Sequence, residues 1–309
     1  MERTLYLHIG SEKTGTSSLR QFLANNSEQL NRAGFTYFTE NKLYYSEHRN
    51  AHSPIVASFF HEPPDFVFPS EHVPNQDMLS RFKKDLSNEE RNVILSSEHF
   101  SSRLTSRDHI EKLRDALDAF DVYIIFYMRE QYELYYASYS TAIINGRREK
   151  LTDDPVHIDN GYLNYYKLLE PWACVFGKES IVVRDYSKMV NNDICDDFAR
   201  LLGVHDTSRY KKVLRTNKSL TPQRAEMIRE LNALLPHDKE VGYLTNFLLI
   251  QLRWLVNSFL GLFYRDDRMG ELPMKSKIRS TFDQSNKALF GTYASCIKPK
   301  ESDVLNLSK

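Results

Sequence analysis

The chain has 309 residues, with 41 basic and 41 acidic side chains, so its formal net charge is zero. This balance argues against a dedicated nucleic-acid binder, which usually carries an excess of positive charge, but it leaves room for a local basic pocket. With 41% hydrophobic residues, the chain is long enough for one large α/β domain or two small domains.

The cysteines and the apolar segments of the sequence indicate in which cellular compartment the chain is expected. The three cysteines lie far apart and lack the spacing of a metal site: Cys174, Cys195 and Cys296. No signal-peptide pattern precedes the first apolar run, so we expect a reduced, cytoplasmic chain. The most apolar stretch, 244–264, is interrupted by polar residues, which predicts a buried or interface helix and no transmembrane segment.

The chain opens with a short β-prone run, Arg3–Ile9, which leads into the segment Gly10–Ser18. Apolar residues then recur at a helical period from Leu19 onward, so the pattern predicts a strand, a tight loop and a helix. The loop carries two glycines, one lysine and five hydroxyl side chains. Backbone N–H groups at a helix N-terminus favour an anion, and we interpret the loop as a phosphate cradle.

The loop differs from the common nucleotide-binding pattern G-x-x-x-x-G-K-[ST]. Gly10 and Gly15 have the right spacing, and Ser17 occupies the hydroxyl position. Thr16, however, stands where that pattern has lysine, and the lysine has moved upstream to position 13. A lysine inside the loop is expected to lie beside a nearer phosphate than the β/γ-phosphates that the common pattern binds.

Strand patterns and helix patterns alternate along the next 170 residues or so, which predicts an α/β fold with a mostly parallel sheet. The predicted strands cover 35–38, 92–97, 122–128 and 180–184. The predicted helices cover 19–33, 55–60, 78–91, 106–120, 131–145, 163–176 with a break or kink at Pro171, and 193–202. The last third is predicted to be helical, over 222–235, 244–263 and 277–294.

The organisation of the chain is predicted to be simple. No repeat or linker composition is evident, so we expect one domain over 1–309, with an α/β core to about residue 220 and a helical extension over about 221–298. The irregular segment 39–76 contains four histidines and five prolines. It is either an acceptor-binding region or a surface loop that happens to contain histidines.

Polar side chains follow three of the predicted strands. Ligands in open parallel sheets bind beyond the carboxyl ends of the strands, so the Gly10–Ser18 loop, Glu98-His99 and Arg129 should converge. Arg129 can bind a phosphate in bidentate fashion, or it can flank its helix and pair with a nearby glutamate. Glu98 can accept a proton as a general base, or it can be the partner of a buried cation.

The core Lys13-Thr14-Gly15-Thr16-Ser17, placed between a strand and a helix, resembles the 5′-phosphosulfate loop of the sulfotransferases. These enzymes use 3′-phosphoadenosine 5′-phosphosulfate (PAPS), and the chain is similar to their bacterial, carbohydrate-sulfotransferase-like members. The resemblance implies a P-loop-like three-layer fold, PAPS as donor with PAP as product, and no required metal. The donor-binding residues implied in the loop are Gly10, Ser11, Lys13, Thr14, Gly15, Thr16, Ser17 and Ser18.

The strand–Arg129–helix unit resembles the second PAPS element, in which an arginine and a helix serine hold the 3′-phosphate. The family usually places this serine eight residues after the arginine. That position here is Ala137, and Ser138 comes one residue later. A shift of one residue along a helix rotates the side chain by about 100° around the helix axis. With this departure, the resemblance implies that Ser138 is the serine that binds the 3′-phosphate.

A third match to bacterial sulfotransferases is the R-x-N-x-S-L stretch that contains Arg215, Asn217 and Ser219. The resemblance implies that these residues close over the donor. The alternative is ordinary helix capping, by Ser219 or by Thr221, immediately before Pro222.

The resemblance also implies the catalytic roles. Glu98 is the candidate general base and His99 the second candidate, while Lys13 stabilises the negative charge that develops on the leaving phosphate. The acceptor is expected to be a hydroxyl group of a carbohydrate or glycolipid. One rival is a nucleotide-dependent kinase or NTPase, which would need a lysine at position 16 and a strand-end aspartate for Mg²⁺. The other rival is a non-catalytic module that binds PAP or a nucleotide.

Overall fold

The computed structural model describes residues 3–39, 42–151, 162–189, 193–213, 219–235, 242–262 and 273–294. Five strands form one sheet with the order β2-β3-β1-β4-β5, and every neighbouring pair is parallel. The strands are β1 (Thr4–His8), β2 (Phe35–Tyr37), β3 (Asn92–Ser96), β4 (Asp121–Met128) and β5 (Ile181–Asp185). The predicted parallel α/β sheet is confirmed, and β1 lies at its centre.

Helices connect the strands and continue to the C-terminal part of the chain. They are α1 (Thr16–Asn25), α2 (Ser27–Arg32), α3 (Ser53–Ala57), α4 (Asn75–Ser87), α5 (His99–Arg103), α6 (Arg107–Ala116), α7 (Gln131–Ile144), α8 (Tyr165–Phe176), α9 (Ile194–Leu201), α10 (Pro222–Leu234), α11 (Tyr243–Leu260) and α12 (Pro273–Thr292). The helical character predicted for the last third of the chain is confirmed in its described parts.

The sheet lies between two helical layers because its strands are apolar on both faces. On one face, Ile94, Ile125 and Tyr127 pack in one core with side chains of α1 and α9. On the other face, α8 packs against β4 and β5, and α6 packs against α8. The arrangement is a three-layer fold in which β1, a glycine-containing loop and α1 follow one another as in P-loop proteins.

Two predictions about the continuity of helices can be compared with the structure. One helix was expected over 19–33, but Asn26 separates α1 from α2. The Asn26 amide donates to the carbonyl oxygens of Phe22 and Lys211, at 2.8 and 3.0 Å, so its side chain supports the break. A break or kink was expected at Pro171; α8 is not broken there, since it continues through this residue to Phe176, and the kink stays a prediction.

The chain divides into two compact units. The first comprises Met1–Arg129, Asn164–Arg215 and Ser285–Lys309, and the second comprises Glu130–Leu163 and Thr216–Gln284. The first unit contains the whole sheet. The second groups α7 with α10 and α11, although the sequence pattern assigns α7 to the α/β core. The extent of a single domain over 1–309 stays a prediction.

The second unit has a polar network in its interior. The buried Arg253 of α11 donates to Asn232 Oδ1 on α10, at 2.7 Å. The Asn232 amide in turn donates to the carbonyl oxygens of Ile143 and Arg147, both at 2.8 Å. Among the described helices, none is long and apolar enough to cross a membrane.

Candidate active site

The loop after β1 turns sharply because three of its residues have left-handed backbone conformations. Gly10, Lys13 and Gly15 have φ values of 82°, 60° and 81°. Glycine adopts this region freely, whereas a lysine there is uncommon. Such strained residues are held by the surrounding structure and concentrate at functional sites. Gly15 is the N-cap of α1, so the loop brings the lysine backbone to the N-terminus of that helix.

Two of the loop hydroxyls hold the turn together. The hydroxyls of Thr14 and Thr16 are buried, and both donate to the carbonyl oxygen of Ser11, at 2.6 and 3.1 Å. Ser17 is exposed, and its hydroxyl accepts a hydrogen bond from Arg20 at 3.2 Å. The threonine hydroxyls therefore shape the cradle, and donor binding by their side chains stays a prediction.

Glu98 lies directly against the start of the loop. A Cβ atom added to Gly10 would lie 2.8 Å from the Cα of Glu98 and 2.9 Å from its Cβ. The turn after β3 is also bonded to this strand, because the Ser101 amide donates to the carbonyl oxygen of Ile9 at 3.3 Å. Only glycine fits at position 10, and this close approach places the strand-end carboxylate beside the predicted phosphate cradle.

Arg20, on α1, forms an ion pair with Glu98. The arginine is buried, and the Glu98 side chain is 16% exposed. Burial alone would raise the pKa of Glu98, but the Arg20 guanidinium, with help from His99, holds it below its usual value. The carboxylate is therefore ionised at neutral pH. Of the two interpretations of Glu98, the structure shows the one in which the carboxylate is the partner of a buried cation.

Arg129 contacts the opposite side of the loop. Its Nη1 donates to the carbonyl oxygen of Lys13 at 2.6 Å, and its guanidinium carbon lies 5.9 Å from the centre of the Tyr186 ring. Tyr186 is buried, and its ring would lie 3.5 Å from a Cβ added to Gly15. The predicted convergence of the loop, Glu98 and Arg129 at one sheet edge is thus found in the structure.

His99 follows Glu98 but is in a different environment. It is buried, and its ring stacks on Phe66 with a centroid distance of 4.2 Å. Within the described part of the chain, neither ring nitrogen has a hydrogen-bond partner. Burial, partly offset by Glu98, lowers the pKa of His99 to about 4, so the ring is neutral at pH 7. Phe66 belongs to the segment 39–76, for which acceptor binding and an ordinary surface loop were the two interpretations, and it brings that segment next to the Glu98 turn.

The remaining predicted site residues belong to other parts of the chain. Ser138 lies half-buried on α7 and Ser219 is exposed before α10, both in the second unit. Arg215 and Asn217 lie outside the described residues. Thr221 caps α10, because its hydroxyl accepts from the Arg224 amide at 3.4 Å. The capping alternative is therefore found for Thr221, and donor binding by the other four residues stays a prediction.

Arg20, Phe66 and Tyr186 contact the candidate site but were not among the predicted site residues. The signal for Arg20 is in the sequence, because it lies between Leu19 and the apolar pair Phe22-Leu23 and so falls near the buried side of its helix. Phe66 and Tyr186 have no such signal, since aromatic residues are common in protein cores. Among the described residues, no group of three His, Cys, Asp or Glu side chains is arranged to hold a metal ion.

Comparison with known proteins gives one structural likeness to report. No protein-family model matches the chain, and no curated protein sequence matches it. The crystal structure of a sulfotransferase from Alicyclobacillus acidocaldarius is similar, with 17% sequence identity over 76% of this chain and 94% of that chain. Its TM-score is 0.45. At this score and identity the likeness carries no argument about activity, which has to be argued from the residues of the site.

Proposed function

We propose that this protein transfers a sulfuryl group from PAPS to a hydroxyl group of an acceptor, which we expect to be a carbohydrate or glycolipid. The observation that carries the proposal is the close approach of Glu98 to Gly10 at one end of the loop. Arg129 donates to the Lys13 carbonyl near the middle of the loop. A carboxylate, a glycine-containing loop and an arginine thus follow three neighbouring strands, and we propose that they serve as proton acceptor, anion cradle and second cation.

The chemistry of the cradle fits a donor with several negative charges. Lys13 lies within the loop, Arg20 is bonded to the loop hydroxyl of Ser17, and Arg129 is bonded to the loop backbone. The N-terminus of α1 adds backbone N–H groups that favour an anion. When bound, PAPS supplies the sulfuryl group and a phosphate that can leave. Lys13 and Arg129 are the side chains that we expect to hold its phosphates.

Glu98 has the charge state that a general base needs. It is ionised at neutral pH because Arg20 keeps its pKa low, and it lies at the turn that contacts the acceptor-side segment through His99 and Phe66. We propose that Glu98 accepts the proton of the acceptor hydroxyl as that oxygen attacks sulfur in line. The Lys13 cation stabilises the charge that develops on the leaving phosphate oxygen.

The ion pair between Arg20 and Glu98 also favours one rival, a non-catalytic module that binds PAP or a nucleotide. In such a module the carboxylate serves only to compensate a buried arginine. This rival predicts that Glu98→Gln and Lys13→Ala leave the function of the protein unchanged. The proposed enzyme instead requires both side chains for turnover.

The test is incubation of the purified chain with ³⁵S-labelled PAPS and a panel of glycans, glycolipids and phenols. We expect label transfer to one acceptor class, and a loss of about 10²–10³-fold in kcat for Lys13→Ala and of about 10²–10⁴-fold for Glu98→Gln. Lys112→Ala, at an exposed lysine of α6, is the matched control and should retain full activity. His99→Gln distinguishes the two candidate bases.

Four outcomes would overturn the proposal or its mechanism. Absence of label transfer together with absence of PAP and PAPS binding would reject the sulfotransferase assignment. Binding of PAP without transfer to any acceptor would favour the non-catalytic module. Mg²⁺-dependent ATP hydrolysis by the pure protein would favour the kinase or NTPase alternative. Full transfer by Glu98→Gln with loss in His99→Gln would move the role of the base to His99.

A further inference from the structure

Helix α11 presents a long apolar surface to solvent. Six side chains at helical spacing form an outer line, five on α11 and one in the turn directly after it, which we call the apolar stripe: Leu244, Leu248, Leu252, Leu255, Phe259 and Leu262. Their exposed fractions range from 39% to 73%. Two aromatic rings flank the stripe, Phe247 and Trp254, which are 48% and 42% exposed. A continuous patch of this kind is uncommon on a monomeric soluble protein and marks an interaction surface.

The stripe is large enough for a specific protein interface. If the full area of a large apolar side chain is taken as about 150–200 Å², the eight exposed fractions correspond to roughly 800 Å² on one chain. A standard interface buries about 800 Å² on each partner. One stripe packed against another would therefore bury about as much surface as a stable complex of ordinary size.

The charge pattern favours a second copy of the same chain over other partners. Arg253 is the one residue of 242–262 whose side chain is charged at neutral pH. It is buried, and it donates to Asn232 on the inner side of the helix. A twofold interface brings identical surfaces together, so any exposed charge near the axis would face its own copy. A surface without exposed charge avoids this repulsion, and homodimer interfaces are more apolar than transient ones.

The same pattern disfavours a membrane surface as the occupant. Helices that lie on membranes combine an apolar side with a polar side rich in lysine and arginine. The inner side of α11 packs instead against α7 and α10 within the second unit, and its arginine is buried. No exposed cation of 242–262 is available to attract anionic headgroups.

We propose that two copies of this protein associate in solution through the apolar stripe of α11, with stripe packed on stripe. This inference does not depend on the proposed sulfuryl transfer, since it uses only the exposure, spacing and charge of residues in α11. A dimer of this kind removes the exposed apolar surface of the stripe from water.

Paired charge variants test the proposal by sedimentation velocity on the full chain. Leu248→Glu plus Leu255→Glu places two negative charges in the stripe, and Leu248→Lys plus Leu255→Lys places two positive charges there. Both positions are more than half exposed, so the monomer should fold. Each variant alone should lose dimer affinity by at least about 100-fold, because charges of one sign face each other. An equal mixture of the two variants should dimerise again, less strongly at high salt.

The control is Leu234→Glu, at an 84% exposed leucine of α10 that lies outside the stripe, and it should stay dimeric. Three kinds of result would overturn the proposal. One is a wild-type chain that stays monomeric up to about 100 µM, where an interface of this size should associate. Another is a dimer that survives both paired variants, or a mixture that does not recover. The third is flotation of wild-type protein with neutral phosphatidylcholine vesicles that the paired variants abolish.

Discussion

Two buried arginines, one in each compact unit, illustrate how the same residue type serves different purposes in this chain. Arg20 is 5% exposed and forms an ion pair with Glu98 beside the loop of the first unit. Arg253 is 1% exposed and donates to the neutral amide of Asn232 within the second unit. Asn232 then bonds two carbonyl groups at the end of α7.

The difference teaches that burial of a charge does not by itself identify a functional site. Arg253 donates to Asn232, whose amide in turn donates to two backbone carbonyls, so its role is structural. Arg20 compensates a carboxylate at the carboxyl edge of a parallel sheet, where ligands of such folds bind. The partner of the buried cation and its place relative to the strand ends distinguish the two cases.

The largest effect on stability is expected when Arg20 is removed. Arg20→Met leaves the Glu98 carboxylate buried without its partner and should cost about 3–5 kcal/mol of unfolding free energy at pH 7. Without the guanidinium, burial raises the pKa of Glu98, so the loss should shrink as the pH is lowered and the carboxyl group takes up a proton. Urea unfolding at pH 7 and pH 5 measures both effects.

The double variant Arg20→Met plus Glu98→Leu is the control for this prediction. It removes both charges and should recover most of the lost stability, since a buried ion pair is often replaceable by apolar side chains. Equal losses in the single and double variants would show that packing around Arg20, rather than the ion pair, stabilises this edge of the sheet.

A second, smaller loss is expected from Gly10→Ala. The added Cβ would lie 2.8 Å from the Glu98 backbone, and the residue has a φ of 82°, so we expect a cost of about 2–4 kcal/mol together with displacement of Glu98. Gly34→Ala is a matched control, because Gly34 has a φ of 87° but no atom within 4 Å of the added Cβ.

Gly34→Ala should lose only the cost of the left-handed conformation, about 1–2 kcal/mol. Thermal unfolding of both variants measures the difference, which reports the contact between the loop and Glu98. Equal destabilisation of the two variants would contradict this contact.

The structural role of Arg253 predicts a moderate loss that is independent of catalysis. Arg253→Met leaves Asn232 Oδ1 without its buried donor and should cost about 1–3 kcal/mol. Because Asn232 does not titrate, the cost of this lost hydrogen bond should be the same at pH 7 and pH 5. Label transfer from PAPS should stay at the wild-type rate, whereas Arg20→Met should reduce it. A fall in turnover for Arg253→Met would contradict the distinction between a structural Arg253 and a functional Arg20.

The smallest expected effect is a change in the pH dependence of stability. Burial lowers the pKa of His8 and His52 to about 3 and that of His99 to about 4, from an ordinary value of 6.5. The unfolded chain therefore binds more protons below about pH 6.5, and stability that is complete above this pH is lost as the pH falls toward 4.

Each neutral buried histidine contributes about 1.4 kcal/mol per pH unit to this loss. His99→Gln should reduce the slope of unfolding free energy between pH 6 and pH 5 by one proton. Urea titrations of wild type and variant at these two pH values measure it. An unchanged slope would mean that His99 is protonated in the folded protein, which would also alter its candidacy as a base.

Local patterns in the sequence predicted most of the fold. The apolar run at 122–128 and the helical period after Gln131 correspond closely to β4 and α7. The break at Asn26 was not predicted, because it depends on a bond to the carbonyl of Lys211, which is 185 positions away along the chain. The same holds for Phe66, whose stacking on His99 joins two segments that no local pattern connects.

By itself, the sequence determined that polar residues such as Glu98 and Arg129 follow apolar strands. It also determined that the lysine of the first loop stands at position 13 and not at position 16. Hydrophobic periodicity and loop composition are local properties, so they can be read without knowing which segments meet. Only the tertiary structure decided that Glu98 touches Gly10, that Arg20 is its partner and that α11 turns an apolar side to solvent. Those facts depend on strand order and packing, which bring together residues that are remote along the chain.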